Sequence, residues 1–202
     1  AGLYVHITTQ QVMDAMSPDA QGLLAVVATE EATGSEALAS ALEGARLVAV
    51  LTQAQDPGNA GTIIRAADAA GADAVVLVRG SVDPTAPKVV RSTAGSLFHL
   101  PVVTGVALDD AVTALHNAGL TVLAADGRGD FDLFEAESLL EAPSAWLLGN
   151  EAHGLPSEAL SRADAVVSIP IYGKAESLNV AAAAAVCLYA SARAQAQNSG
   201  RS

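Results

Sequence analysis

The sequence predicts an α/β domain: a parallel sheet with helices on both faces. Three observations point there. From Arg46 onward short apolar runs alternate with helical stretches, as consecutive βα units require. The runs are rich in Val, Leu and Ala on both faces, which suits strands buried between two helical layers rather than strands with one wet face. Hydrophobic residues make up 51% of the 202, enough for one substantial core.

Taken in order, Leu3–Ile7 reads as a strand, Thr9–Met16 as a short helix and Leu23–Val27 as a second strand. Thr29 to Glu43 is polar, acidic and rich in small residues, so it reads as a linker merging into a short helix. The α/β pattern then begins: strand Leu47–Leu51, a helix after Gly58, strand Ala74–Val78, a helix near Lys88–Gly95, strand Val102–Val103 and a helix from Leu108. Strands Thr121–Ala125 and Trp146–Leu148 follow, then a helix near Ser157–Arg162, strand Val166–Ile169 and an alanine-rich helix ending near Gln195. No internal repeat appears.

The net charge of −12 gives no global attraction for nucleic acid. Location matters more than the sum. Arg65, Arg79, Lys88, Arg91, Arg128 and Lys174 fall in or beside loops and helix starts, whereas acidic residues gather at Glu30 to Glu43 and Asp130 to Glu141. A local basic surface on an acidic body is therefore open. The lone Cys187 allows no internal disulfide, and its place on an apolar helix face reads as core. His6, His99, His116 and His153 lack ligand spacing, so no metal site is expected. The longest apolar run, Val180 to Ala190, is too short to span a bilayer, and no basic-then-apolar leader opens the sequence. A cytoplasmic protein without a membrane partner is expected.

Glycine motifs for dinucleotides, P-loops and nucleophile elbows are missing. Arg128-Gly129-Asp130 spells an adhesion tripeptide, but three residues recur by chance and the segment reads as a turn. Three constellations remain. Asp56-Pro57-Gly58-Asn59-Ala60-Gly61-Thr62-Ile63-Ile64-Arg65 turns from a strand into a helix, with Asn59 at its start and Arg65 nearly two turns on. A capping asparagine followed by a surface arginine would leave the same trace. Leu148-Gly149-Asn150-Glu151-Ala152-His153-Gly154-Leu155-Pro156 places a carboxylate between two glycines at a strand end, which a plain turn would also do. Ile169-Pro170-Ile171-Tyr172-Gly173-Lys174-Ala175-Glu176-Ser177-Leu178-Asn179-Val180 runs a polar loop into the last helix, gathering backbone N–H groups and two neutral side chains at its N-terminus. Three such loops at C-terminal strand ends of one sheet are where α/β folds bind ligands.

In order and spacing these stretches resemble the three motifs of the SpoU/TrmH family of RNA 2′-O-ribose methyltransferases, of the SPOUT superfamily. The resemblance runs from about Leu47 to Tyr189, and Lys88 to Ser96 is similar to a further family segment between the first two motifs. Within the family the chain looks most like actinobacterial 23S ribosomal-RNA members, the branch that includes thiostrepton-resistance enzymes. The resemblance implies a deep C-terminal trefoil knot, S-adenosylmethionine bent within it, and a homodimer. It places the cofactor at Gly149, Ile169 and Leu178, with Leu148, Asn150 and the Ala124, Asp126 and Gly127 segment alongside, and RNA at Lys88 and Arg91.

It also implies roles. Arg65 matches the family's catalytic arginine. A guanidinium is a poor proton acceptor at neutral pH, so charge stabilisation of a developing 2′-oxyanion and a grip on the adjacent phosphate is the favoured role, with the general-base role as the alternative. Asn59 would orient Arg65 or the ribose, Glu151 would fix its loop, and Ser177 with Asn179 would hold the substrate phosphate or the motif loops. Residues 1–28 resemble only the tail of an N-terminal RNA-capturing domain, 29–44 read as the linker, and 45–202 as the catalytic domain. The Ala181 to Ala185 run would let a helix approach a second copy. A tRNA substrate, and a non-catalytic knotted RNA-binding module, are the alternatives; the full set Arg65, Asn59, Glu151, Ser177 and Asn179 argues against the latter.

Overall fold

The computed structural model describes residues 4–18, 20–28, 32–150 and 154–199. It divides into two compact units, Ala1–Glu30 and Glu31–Ser202. The first unit contributes helix α1, Gln10–Met16, whose first turn is capped by the Thr9 side chain accepting from the Val12 N–H. No residue of α1 is buried. The strands expected at Leu3–Ile7 and Leu23–Val27 do not form: residues 4–7 and 23–27 carry no regular structure, and Leu3 lies outside the described residues. A strand must find a neighbour for its N–H and C=O groups, and the described part of this unit offers none.

The second unit runs α2 (Gly34–Ala41), β1 (Leu47–Leu51), α3 (Pro57–Ala69), β2 (Ala74–Val78), α4 (Pro87–Thr93), a 3₁₀ turn (Ser96–Phe98), β3 (Val102–Val106) and α5 (Leu108–Asn117). It continues with β4 (Thr121–Ala125), β5 (Phe131–Asp132), α6 (Glu137–Leu140), β6 (Ser144–Leu148), α7 (Ser157–Arg162), β7 (Ala165–Ser168) and α8 (Val180–Ser199). The sheet order is β3-β2-β1-β6-β4-β7-β5, and every pairing is parallel. Chain order therefore builds outward from β1 on one side, then crosses to build the other. The segment read as a linker merging into a short helix forms that helix, α2, and packs it on the sheet. Leu38 and Leu42 are buried, and Thr104 donates its N–H to Ala32 O at 2.9 Å, so residues 32–42 pack on the β3 end of the sheet.

Pleat alternation sorts the core into two layers. Leu47, Ala49 and Leu51 of β1 point to the side of α3 and α8, with Ile63, Ile64, Trp146, Cys187 and Leu188. Val48 and Val50 point to the other side, against Leu38, Val112, Leu115 and Ala159 of α2, α5 and α7. Trp146 is fully buried, and its indole N–H donates to Ser191 Oγ at 2.9 Å, which removes the cost of a dry donor. Gln195 Nε2 donates to Arg46 O and Ala142 O, pinning the far end of α8 to the entrances of β1 and β6. Burial pushes the Cys187 thiol up to about 12, which makes it an inert core residue.

Helices α3 and α4 cross at Gly61. A Cβ there would lie against Ser92 Cβ and 2.7 Å from Val89 O, so only hydrogen fits between the two backbones. Among the described residues no helix is long and apolar enough to cross a membrane, and no group of three or more His, Cys, Asp or Glu could hold a metal ion.

Candidate functional site

The loops after β4, β6 and β7 meet the entrance of α8 around a cleft of about 480 Å³. It opens at the C-terminal edge of the parallel sheet, where strands stop and backbone groups are released for ligands. Each wall has a local cause. After β6, Gly149 lies so close to the next loop segment that a Cβ would meet the Gly154 carbonyl carbon and Leu155 N, the latter at 2.6 Å. Asn150 and Gly154 exchange both backbone hydrogen bonds, at 3.0 and 2.8 Å, and Gly154 has φ +66, a left-handed conformation that glycine adopts without strain. Asn150 Nδ2 donates to Gln53 O at 3.1 Å, linking this loop to the exit of β1. Gln53 itself holds φ 57, a strained conformation for a residue with a side chain.

The other side is the start of α8, with the start of α3 bonded to it. Asp56, directly before Pro57, caps α3 by accepting the Asn59 N–H at 2.8 Å. Asn179 caps α8, its Oδ1 accepting from Ala181 N at 2.9 Å and Ala182 N at 3.3 Å. The Asn179 Nδ2 then donates to Asn59 Oδ1 at 3.1 Å. One asparagine thus closes a helix with its oxygen and joins a second helix with its nitrogen.

Of the residues singled out in sequence, Asp126, Gly127, Gly149, Asn150, Ile169, Ser177, Leu178 and Asn179 line the cleft. The side chains of Ala124 and Leu148 are buried in the two core layers, which leaves their backbone as the part facing the loops. Glu151 lies outside the described residues. Asn59 sits at the cleft edge bonded to Asn179. Arg65 is exposed on α3 and makes no hydrogen bond or ion pair with any described residue, so Asn59 does not orient it here. Lys88 and Arg91 are exposed on α4, the helix packed on α3.

Several lining residues went unmarked in sequence: Ile171, Glu176, Val180 and Ala183. Asp56 was legible, since Asp before Pro at a strand exit is a helix-start signal. The Arg128-Gly129-Asp130 segment is a turn as read, but its arginine does more: Arg128 Nε donates to Asp126 Oδ1 at 3.0 Å. That bond holds the Asp126 carboxyl below the ordinary aspartate range. Gly129 is pressed against β7, where a Cβ would stand 2.7 Å from Val166 O and Ser168 N.

The model of the SpoU rRNA Methylase family matches residues 46–189. The chain is 42% identical over 151 residues to the 23S rRNA (guanosine(2553)-2′-O)-methyltransferase RlmP of Bacillus subtilis, covering 73% of this chain and 58% of that protein. It therefore spans little more than half the length of that relative. Among solved structures, the SpoU methyltransferase AviRb of Streptomyces viridochromogenes in complex with AdoMet superposes with a TM-score of 0.68 at 37% identity, over 74% of this chain and 60% of that one. An AdoMet-bound rRNA methyltransferase of Sinorhizobium meliloti gives 0.77 at 31% identity, over 92% and 70%.

Proposed function

The chain belongs to the SpoU rRNA methylase family, and on that footing we propose that it is an S-adenosylmethionine-dependent enzyme that methylates a ribose 2′-hydroxyl of 23S ribosomal RNA. The observation that carries the reading is the cleft, where the second and third motif stretches line one strand edge, the first is tied to them by the Asn59–Asn179 bond, and the chain's relatives of known structure include two with AdoMet bound. Its character suits that cofactor. Ala125, Val167, Ile169, Leu178 and Val180 offer an apolar bed, the glycine loops offer backbone donors and acceptors, and the volume lies within the ~300–1,000 Å³ of small-ligand pockets.

When bound, S-adenosylmethionine supplies an electrophilic methyl group on a sulfonium leaving group. What remains for the protein is to align the ribose hydroxyl and favour its oxyanion. Arg65, a cation without a partner among the described residues, is the residue we assign to stabilise that charge and grip the neighbouring phosphate. The Asn59–Asn179 bond holds the starts of α3 and α8 at a set distance, and Ser177 stands exposed beside them as a donor for the substrate phosphate. Glu151 keeps its family role of fixing the motif loop. Lys88 and Arg91 extend the cationic face along α4 for the RNA backbone.

The trefoil knot belongs to the same reading, and the close passage of Gly129 across β7, which admits no side chain, is consistent with it. So does a homodimer. Ala181 and Ala184 of the alanine run are buried in the chain's own core, while Ala182 is exposed, so the run offers a second copy only a narrow face. The next stripe of α8, with Val186, Tyr189 and Arg193, forms a groove with Leu133 and Phe134 and suits that purpose. Residues 1–28 are read as the tail of an RNA-capturing domain, and the acidic body with its local cations fits a cytoplasmic enzyme that meets ribosomal RNA.

Two measurements test the function. Calorimetry should show S-adenosylmethionine binding to the purified chain, and mapping of ribose methylation in RNA from cells with and without the gene should show one 23S position lost. A change confined to tRNA would move the substrate; no binding and no lost methyl would end the reading.

A further inference from the structure

The loop from β7 to α8 is fixed at its ends and open between them. Ile169 packs against the core at one end, and Asn179 caps α8 at the other. Between them, no backbone N–H or C=O of residues 170–178 bonds to a described residue, and every residue from 171 to 178 is exposed. Tyr172 stands in this loop 88% exposed, with no hydrogen bond or ring contact to any described residue. Covering an aromatic ring is among the larger apolar gains open to a side chain, so this one has the most to gain from a partner. The chain's use of aromatics agrees. Of three Phe, three Tyr and one Trp, only Trp146 is buried, so the core is packed by aliphatic side chains and the other rings face outward.

Position narrows the partner. Phe134 and Tyr189 lie in the groove along α8, but Tyr172 follows Ile171, which lines the cleft. Consecutive Cα atoms are about 3.8 Å apart, and Tyr172 itself is not among the lining residues, so it stands at the rim and not in the cofactor bed. Lys174, two residues on, is exposed and forms no ion pair with a described residue, Glu176 included. We propose that Tyr172 is a stacking platform for a base of the substrate RNA, at or beside the methylated nucleotide, with Lys174 meeting a phosphate of the same strand. This rests on reading the cleft as the site of ribose methylation. A ribose brought to the cleft mouth carries its strand across the rim, and an unstacked base offers an apolar face there. A ring for the base and a cation for the backbone are together what single-stranded RNA binds.

The test compares the parent chain with Tyr172→Phe, Tyr172→Leu, Tyr172→Ala and Lys174→Gln. Filter binding across a salt series measures affinity for unmodified 23S ribosomal RNA transcribed in vitro, calorimetry measures S-adenosylhomocysteine, and light scattering gives the mass. Stacking predicts that Tyr172→Phe binds the RNA within twofold of the parent. Tyr172→Leu and Tyr172→Ala should lose ~5-fold or more, with S-adenosylhomocysteine affinity and mass unchanged. Lys174→Gln should bind more weakly and with a shallower salt dependence. Tyr172→Ala binding within twofold of the parent would overturn the proposal, as would an unchanged salt slope in Lys174→Gln. So would a Leu variant that matches Phe, which means apolar area without stacking, or a Phe variant as weak as Ala, which means a role for the hydroxyl. Weaker S-adenosylhomocysteine binding would give the ring to the cofactor, and a halved mass would give it to a second copy; either overturns the proposal. A parent that binds S-adenosylhomocysteine but not this RNA would end the proposal and the ribosomal substrate together, whereas RNA binding shared equally by parent and Tyr172 variants would end the proposal alone.

Discussion

Arg65 is a charged side chain with water on one side and, among the described residues, nothing to hold it. Most such residues cost little to replace, within about 0.5 kcal/mol. Arg65→Lys should therefore leave stability and cofactor affinity unchanged while removing most methyl transfer, because lysine keeps the charge but not the planar fork that can touch a phosphate and the reacting oxygen together. Single-turnover transfer from labelled cofactor to a full RNA substrate measures this. Transfer within twofold of the parent would remove Arg65 from the mechanism. Asn179 shows the opposite economy, with its oxygen on the α8 cap and its nitrogen on Asn59.

Among elements, α3 and α4 depend on one another through a missing side chain. Replacing Gly61 with alanine in the body of α3 gains about 0.5–1 kcal/mol of helix propensity. The new Cβ would meet Ser92 Cβ and stand 2.7 Å from Val89 O, which is backbone and cannot rotate aside. Overpacking of this kind costs about 1–3 kcal/mol, so the clash wins. Gly61→Ala should lower the midpoint of urea unfolding and, by displacing the helix that carries Lys88 and Arg91, weaken RNA binding more than cofactor binding. A variant as stable as the parent would mean that α4 slides freely.

At the scale of the whole molecule, the exposed stripe of α8 is the surface that the proposed dimer would use. Tyr189 is 53% exposed and Phe134 58%, and both line the groove beside Arg193. Large apolar patches of this sort mark surfaces that meet a partner. Tyr189→Asp should convert a dimer into a monomer in light scattering with the circular dichroism unchanged, because the substitution adds an unpaired charge to an interface without entering the core. A parent that is already monomeric at micromolar concentration would refute the dimer.

Local signals carried much of this protein. The strand and helix alternation from Arg46 on, the burial of β1 and β2 on both faces, and the three polar loops follow from apolar periodicity and from Gly and Pro at turns, and those signals lie within a few residues of one another. Family membership rested on the same short stretches. Three things waited for the tertiary structure. The apolar segments before residue 28 form no strands, because a strand exists only with a neighbour. Which alanines of α8 turn inward, Ala181 and Ala184 but not Ala182, is set by the sheet the helix covers, because an alanine run has no strongly polar face of its own. The bonds that shape the cleft, Asn59 to Asn179 and Asn150 to Gln53, join residues 120 and 97 positions apart, and no periodicity or spacing encodes which amide meets which across a sheet edge.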